Sequence, residues 1–170
     1  MTNLPKPGEL IAHTDIALVL DELTELEPGK YARGLWMPDE RYFEGHFKGN
    51  PILPAHWSLE SVALAGACAL LSSRPGILPY FRESRMMLKE MVRPGSTLEL
   101  EATFGSVKEA KGMIIAEGKG SASVEGKKVL VAPILKAVAM SLEAQSVETP
   151  AEGPHIEAAG HDPGDGESFA

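Results

Sequence analysis

The chain has 170 residues, 44% of them apolar and 24% charged, an ordinary composition for one globular domain with a buried core. Its net charge of −8 is uneven: no Lys or Arg follows Lys136, and seven acids (Glu143, Glu148, Glu152, Glu157, Asp162, Asp165 and Glu167) do, which leaves 17 acids against 16 bases in residues 1–142. A near-neutral body excludes the basic footprint of nucleic-acid binding. One cysteine, Cys68, excludes an internal disulfide, no uncharged run is long enough to span a bilayer, and MTNLPKPGEL lacks the pattern of a secretion signal, so a cytoplasmic protein is expected.

Residues 1–10, with two prolines, read as a flexible lead-in. Ile16–Leu26 carries the apolar run IALVL and reads as a first strand. Glu27-Pro28-Gly29-Lys30 is a turn signal, and Tyr31–Met37 follows as the second arm of a hairpin. Residues 38–54 form a long loop with Pro38, Gly45, Gly49, Pro51 and Pro54; a loop of that length in a compact domain is often functional. A helix is predicted from Ala55 to Ser73, stopped by Arg74-Pro75-Gly76. It is apolar on nearly every face, which predicts that other structure wraps it. Cys68 sits within it and reads as a small core residue.

Strands are then predicted over Arg82–Val92, Thr97–Phe104, Lys111–Val124 and Lys127–Met140, the last two joined by the short turn Glu125-Gly126. Antiparallel strands around one buried helix make an α+β fold. The domain is expected over 11–142. The acidic stretch 143–170 is poor in large apolar side chains and is expected to be disordered.

The most informative stretch is GHFKGNPILPAHWSLE, residues 45–60. It places His46 in a turn-rich run ahead of the helix and Glu60 within the helix. From Trp57 to Ser73, Glu60 is the only charged residue. A carboxylate on an apolar helix is costly to bury unless it is paired or protonated. With a histidine upstream, the two form a candidate general acid–base pair.

The order of elements and this motif together resemble the hotdog-fold 3-hydroxyacyl-acyl-carrier-protein dehydratases of the FabZ/FabA type. Gly45, His46, Phe47, Gly49, Pro51, Ile52, Leu53, Pro54 and Glu60 fall on that family's motif without a gap. Ile11-Ala12-His13, Leu18-Val19-Leu20-Asp21, Leu26-Glu27-Pro28-Gly29-Lys30 and Val92-Arg93-Pro94-Gly95 echo its flanking pieces, so the resemblance spans about residues 11–140. It implies a hotdog fold, in which an antiparallel sheet wraps a long central helix. It implies that His46 and Glu60 are catalytic and meet across a dimer interface. Backbone N–H groups at Ala55 and His56 would then polarise the substrate's thioester carbonyl. Glutamate at 60 is like the FabZ branch rather than the isomerising FabA branch.

The implied reaction is loss of water from a 3-hydroxyacyl chain held on an acyl carrier protein, in fatty acid or polyketide-type synthesis. Histidine suits removal of the C2 proton, and a glutamic acid shielded from water suits protonation of the leaving hydroxyl. No cofactor or metal is expected beyond the carrier's phosphopantetheine. The implied partners are that carrier and a second hotdog subunit, as homodimer, heterodimer or higher oligomer. Lys48, Ala55 and Leu64 stand where the family has proline, glycine and glutamine, and His56 and Trp57 replace smaller residues; these changes bear on the substrate. His13 falls at a position read as structural. Met86, Met87 and Met91 read as core or acyl-tunnel lining, and Lys48, Arg85 and Lys89 as surface charges able to meet a carrier protein. A hotdog thioesterase, releasing free thiol, and a non-catalytic partner subunit are the competing functions.

Overall fold

The computed structural model describes residues 4–110 and 112–141; the acidic tail expected over 143–170 lies outside them. Six strands form one antiparallel sheet: β1 (Glu22–Glu27), β2 (Tyr31–Trp36), β3 (Ile77–Leu88), β4 (Leu98–Ala110), β5 (Met113–Val124) and β6 (Lys127–Ser141). Their order across the sheet is β1-β2-β4-β5-β6-β3. The 19-residue helix α2 (Ala55–Ser73) packs on β2, β4 and β5. This is the hotdog arrangement, and the helix has the predicted bounds. Among the described residues no helix is long and apolar enough to cross a membrane.

The helix is buried because its sequence offers no polar stripe. Val62, Ala65, Cys68, Ala69 and Leu70 are all 0–1% exposed, and they occupy several faces of the helix. Ser61, also buried, satisfies its hydroxyl by donating to the Ser58 carbonyl at 3.0 Å. Glycines on both the sheet and the helix let the two pack closely. A Cβ on Gly120 would strike Val62 and the Glu101 carbonyl oxygen, the latter at 2.8 Å; one on Gly66 would press on Phe104 at 3.2 Å. The β1–β2 turn is tied to the helix directly, Gly29 N–H donating to the Ala69 carbonyl at 2.6 Å.

Several boundaries differ from the predicted ones. The apolar run IALVL is not a strand: Asp15–Ala17 form a turn of 3₁₀ helix, Val19 and Leu20 are buried in irregular chain, and pairing begins only at Glu22. Burial, rather than strand geometry, accounts for that run. β3 starts at Ile77 instead of Arg82, because Ile77–Phe81 pair with Ala137–Ser141 of β6. β4 runs past Phe104 to Ala110 through a bulge between Phe104 and Ser106. Part of the stretch read as a lead-in packs on the body: Pro7–Leu10 form a helical turn, α1, with Pro7 buried and Leu4 and Leu10 against the core.

β3 is an outer strand of the sheet, and beyond Ile77, which packs against the core, most of its large apolar residues are exposed. Tyr80, Phe81, Met86, Met87 and Leu88 are 39–58% exposed. Met86 and Met87 therefore lie at the surface of a single chain, and among the described residues no strand pairs with the second edge of β3.

Candidate active site

His46 is placed by the loop that leads into α2. Gly45 and Gly49, on either side of it, both sit at φ +75°, where a side chain would be strained. His46 N–H donates to the Phe43 carbonyl at 3.1 Å, and the His46 carbonyl accepts from Ile52 N–H at 2.8 Å. Phe47 and Asn50 exchange backbone hydrogen bonds at 3.3 and 3.1 Å, closing a turn with Lys48 and Gly49 at its tip. Leu53 N–H donates to the Val92 carbonyl at 2.8 Å, and Arg93 donates to the Asn50 side chain at 2.8 Å, so the loop is fixed to the segment after β3. Upstream, Tyr42 is wedged edge-on between Trp36 and Trp57, at 5.0 and 5.1 Å, and its hydroxyl donates to the Ile16 carbonyl at 2.9 Å.

The His46 ring is half-buried, with Nδ1 3.1 Å from the Ile52 carbonyl oxygen and Phe47 stacked on it at 4.1 Å. A carbonyl only accepts. The neutral ring therefore carries its proton on Nδ1 and presents a lone pair at Nε2, the tautomer of a general base. His46 lines a cavity of about 450 Å³ with Ile52, Ala55, Ser58, Lys89 and Met91.

Ala55 opens the helix. Pro54 is the N-cap and provides no side-chain acceptor, so the N–H groups of Ala55 and His56 have no acceptor within the helix. They carry the positive end of its dipole. The His56 ring itself is exposed, lies 4.9 Å from that of Trp57, and lines neither of the two cavities described here.

Glu60 is half-buried on another part of the helix surface. It lines a separate cavity of about 210 Å³ with Ala63, Gly66, Ala67, Phe104 and Leu135. The small residues along the helix leave this groove open, and Phe104 closes it from β4. Among the described residues none lines both cavities. His46 and Ala55 are thus brought together, and Glu60 is not brought to them within one chain. Both cavities do reach β3: Pro79–Phe81 line that of Glu60, and Leu88 that of His46.

Of the basic residues read as carrier contacts, Lys89 lines the His46 cavity, while Lys48 and Arg85 are exposed elsewhere on the surface. The sequence reading took His13 as structural. It shares the cavity of Glu60, and its Nδ1 is buried without a hydrogen-bond partner among the described residues. It lies in irregular chain, where no periodicity marks which side chains turn inward.

Comparison with known proteins bears on the family and the fold. A family model described as "FabA-like domain" matches residues 11–133. A 3-hydroxyacyl-[acyl-carrier-protein] dehydratase FabZ of Enterococcus faecalis is 40% identical over 131 residues, covering 74% of this chain and 90% of that protein. Another, from Chloroflexus aggregans, is 39% identical over 143 residues, covering 81% and 96%. Among solved structures, Cj0977, a sigma28-regulated virulence protein from Campylobacter jejuni, superposes with a TM-score of 0.59 at 12% identity, over 81% of this chain and 87% of that one. That last likeness shows the fold alone.

Proposed function

The chain belongs to the FabA-like domain family, and from that membership we propose that it removes water from a 3-hydroxyacyl thioester on an acyl carrier protein, giving the 2-enoyl thioester. Its relatives carry the name of that activity. The observation that carries the reading for this chain is the His46 ring, held by the Ile52 carbonyl with Nε2 as the free lone pair.

Nε2 of His46 takes the proton from C2 of the substrate. Negative charge then grows on the thioester oxygen, and the N–H groups of Ala55 and His56, at the positive end of α2, stabilise it. The C3–O bond breaks as Glu60, in its acid form, gives its proton to the leaving hydroxyl. The products are water and the enoyl chain, with His46 protonated and Glu60 ionised; solvent restores both. Two side chains supply base and acid, so the chemistry requires no cofactor other than the pantetheine arm that delivers the chain.

The active unit in this proposal is a cytoplasmic dimer. His46 and Glu60 open on different cavities, and both cavities end on the outer strand β3. Antiparallel pairing of β3 with its copy about a twofold axis sets the Leu88 end of one strand against the Pro79 end of the other. The His46 cavity of one subunit then meets the Glu60 cavity of its partner. The same pairing covers the exposed apolar residues of β3.

The test is a mass assay on 3-hydroxybutyryl carrier protein with wild type, His46→Ala and Glu60→Gln. Loss of water by wild type alone is expected, each variant falling by about a hundredfold or more, the usual contribution of a positioned acid or base. Absence of enoyl product, or full activity in His46→Ala, overturns the proposal. Release of free thiol without enoyl product would identify a thioesterase instead.

A further inference from the structure

We propose that the hydroxyl of Ser58 is a catalytic group of the same site, the third hydrogen-bond donor to the substrate's thioester oxygen, beside the N–H groups of Ala55 and His56. This rests on the reading of His46 as the base that removes the C2 proton, because charge on that oxygen arises only in that step.

Three observations single out this hydroxyl. Ser58 is 3% exposed and lines the His46 cavity. The other polar side chains lining it are His46, Lys89 and Glu90; Lys89 and Glu90 are exposed, so His46 and Ser58 alone are set back from solvent. Next, the other serines of α2 turn their hydroxyls back on the helix: Ser61, Ser72 and Ser73 donate to the carbonyls of Ser58, Ala69 and Leu70 at 3.0, 2.8 and 2.9 Å. Ser58 does not, and its hydroxyl makes no hydrogen bond among the described residues. Finally, the hydroxyl is reachable. Among the described residues that are not themselves exposed, the one unpartnered polar side-chain atom sealed from solvent is Nδ1 of His13. The Ser58 oxygen, unpartnered but not sealed, keeps a small accessible area, and the His46 cavity is the opening that Ser58 borders.

The position in the helix aims this group. Helical side chains lean toward the N-terminus, over the turn before their own Cα, and positions three apart share a face. Ser58 follows Ala55 by three, so its Oγ leans back toward the first turn. There the Trp57 N–H is already taken by the Pro54 carbonyl at 3.1 Å, which leaves those of Ala55 and His56 as the free donors. A nearly buried, unpartnered hydroxyl beside two free N–H groups forms a cradle for one developing oxyanion. When His46 takes the C2 proton, the electrons of the C–H bond move between C2 and the thioester carbon, and the carbonyl pair moves onto oxygen. Ser58 keeps its own proton throughout, and its hydrogen bond to that oxygen strengthens as the charge grows.

Two pairs of proteins that differ at the hydroxyl test this: wild type against Ser58→Ala, and Ser58→Thr against Ser58→Val. Turnover of 3-hydroxybutyryl carrier protein is measured at limiting and saturating substrate, with the thermal midpoint of each protein. The hydroxyl-bearing member of each pair is expected to be about ten- to a hundredfold faster, the range for one hydrogen bond to a charged group, with the difference in kcat and little change in KM. The midpoint of Ser58→Ala should stay at or above that of wild type, since the hydroxyl is bonded to nothing in the protein. Wild-type kcat in Ser58→Ala overturns the inference. So does equal turnover by Ser58→Thr and Ser58→Val, which would make the position one of shape, and so does a fall in activity that only follows loss of folded protein. An acyl adduct on Ser58, seen as added mass on the intact protein, would make it a nucleophile and overturn the donor role. His46→Ala is assayed alongside: if it remains active, the reading of the whole site has failed; if it is inactive while Ser58→Ala is not, only the role of Ser58 has.

Discussion

At His46 the decisive partner is a backbone carbonyl. Ile52 accepts from Nδ1, and this single bond selects the tautomer that leaves Nε2 as a base. Cys68 illustrates the opposite environment. It is fully buried in α2, and burial pushes its thiol up to about 12. The thiolate is the reactive form, so the native protein should resist a thiol-reactive dye at about pH 8 and label only on unfolding. Rapid stoichiometric labelling of folded protein would contradict this placement. The sign of the linkage follows: the folded-state value is raised, so the stability it confers is fully present below the unfolded value of roughly 8.5 and is lost as pH rises toward 12. In urea titrations between about pH 9 and 11, wild type should lose stability faster than Cys68→Ala, by on the order of 1 kcal/mol per pH unit at most. Parallel slopes for the two proteins would refute it.

At the scale of elements, α2 is fixed by glycines on the strands facing it. Gly120 of β5 lies where a Cβ would meet Val62 and the Glu101 carbonyl oxygen. The second obstacle is backbone and cannot swing away. Gly120→Ala should therefore destabilise by about 1–3 kcal/mol, the range for overpacking a tight core, read as a lower midpoint in denaturant. An unchanged midpoint would show that helix and sheet separate easily. The helix itself was legible in the sequence, from Ala55 to Ser73, because an unbroken apolar run bounded by Pro54 and Arg74-Pro75-Gly76 admits few alternatives. IALVL was not legible as irregular chain: an apolar run reports burial, and burial is shared by strands and by packed loops. The site was legible in part. His46 and Glu60 stand in one motif, whereas His13 is far from both in sequence and is brought to the wall of the Glu60 cavity only by folding.

At the scale of the whole molecule, the arrangement of β3 matters most. It is an outer strand, it carries exposed Tyr80, Phe81, Met86, Met87 and Leu88, and both cavities end on it. A dimer built along this edge would contain two sites, each with His46 from one subunit and Glu60 from the other. Complementation tests this. His46→Ala and Glu60→Gln homodimers should each be inactive. Mixed and reassembled in equal amounts, half the dimers are heterodimers, with one site of each pair intact, so activity should recover to about a quarter of wild type. No recovery, with heterodimers demonstrated in the mixture, would place both residues of each site in a single subunit.

The sequence by itself determined the family and the helix, and it singled out the two residues proposed as the acid–base pair, because each is written in local spacing: turn residues around His46, a lone acid in an apolar run, glycine and proline at the boundaries. The tertiary structure alone decided three further matters. It chose the His46 tautomer, since the Ile52 carbonyl reaches the ring only when the loop closes. It brought His13 to the wall of the Glu60 cavity. It put His46 and Glu60 on separate cavities that share an outer strand. The first depends on how one loop closes and the other two on how separate segments of the chain come together, and spacing along a sequence carries no information about distance once the chain turns back on itself.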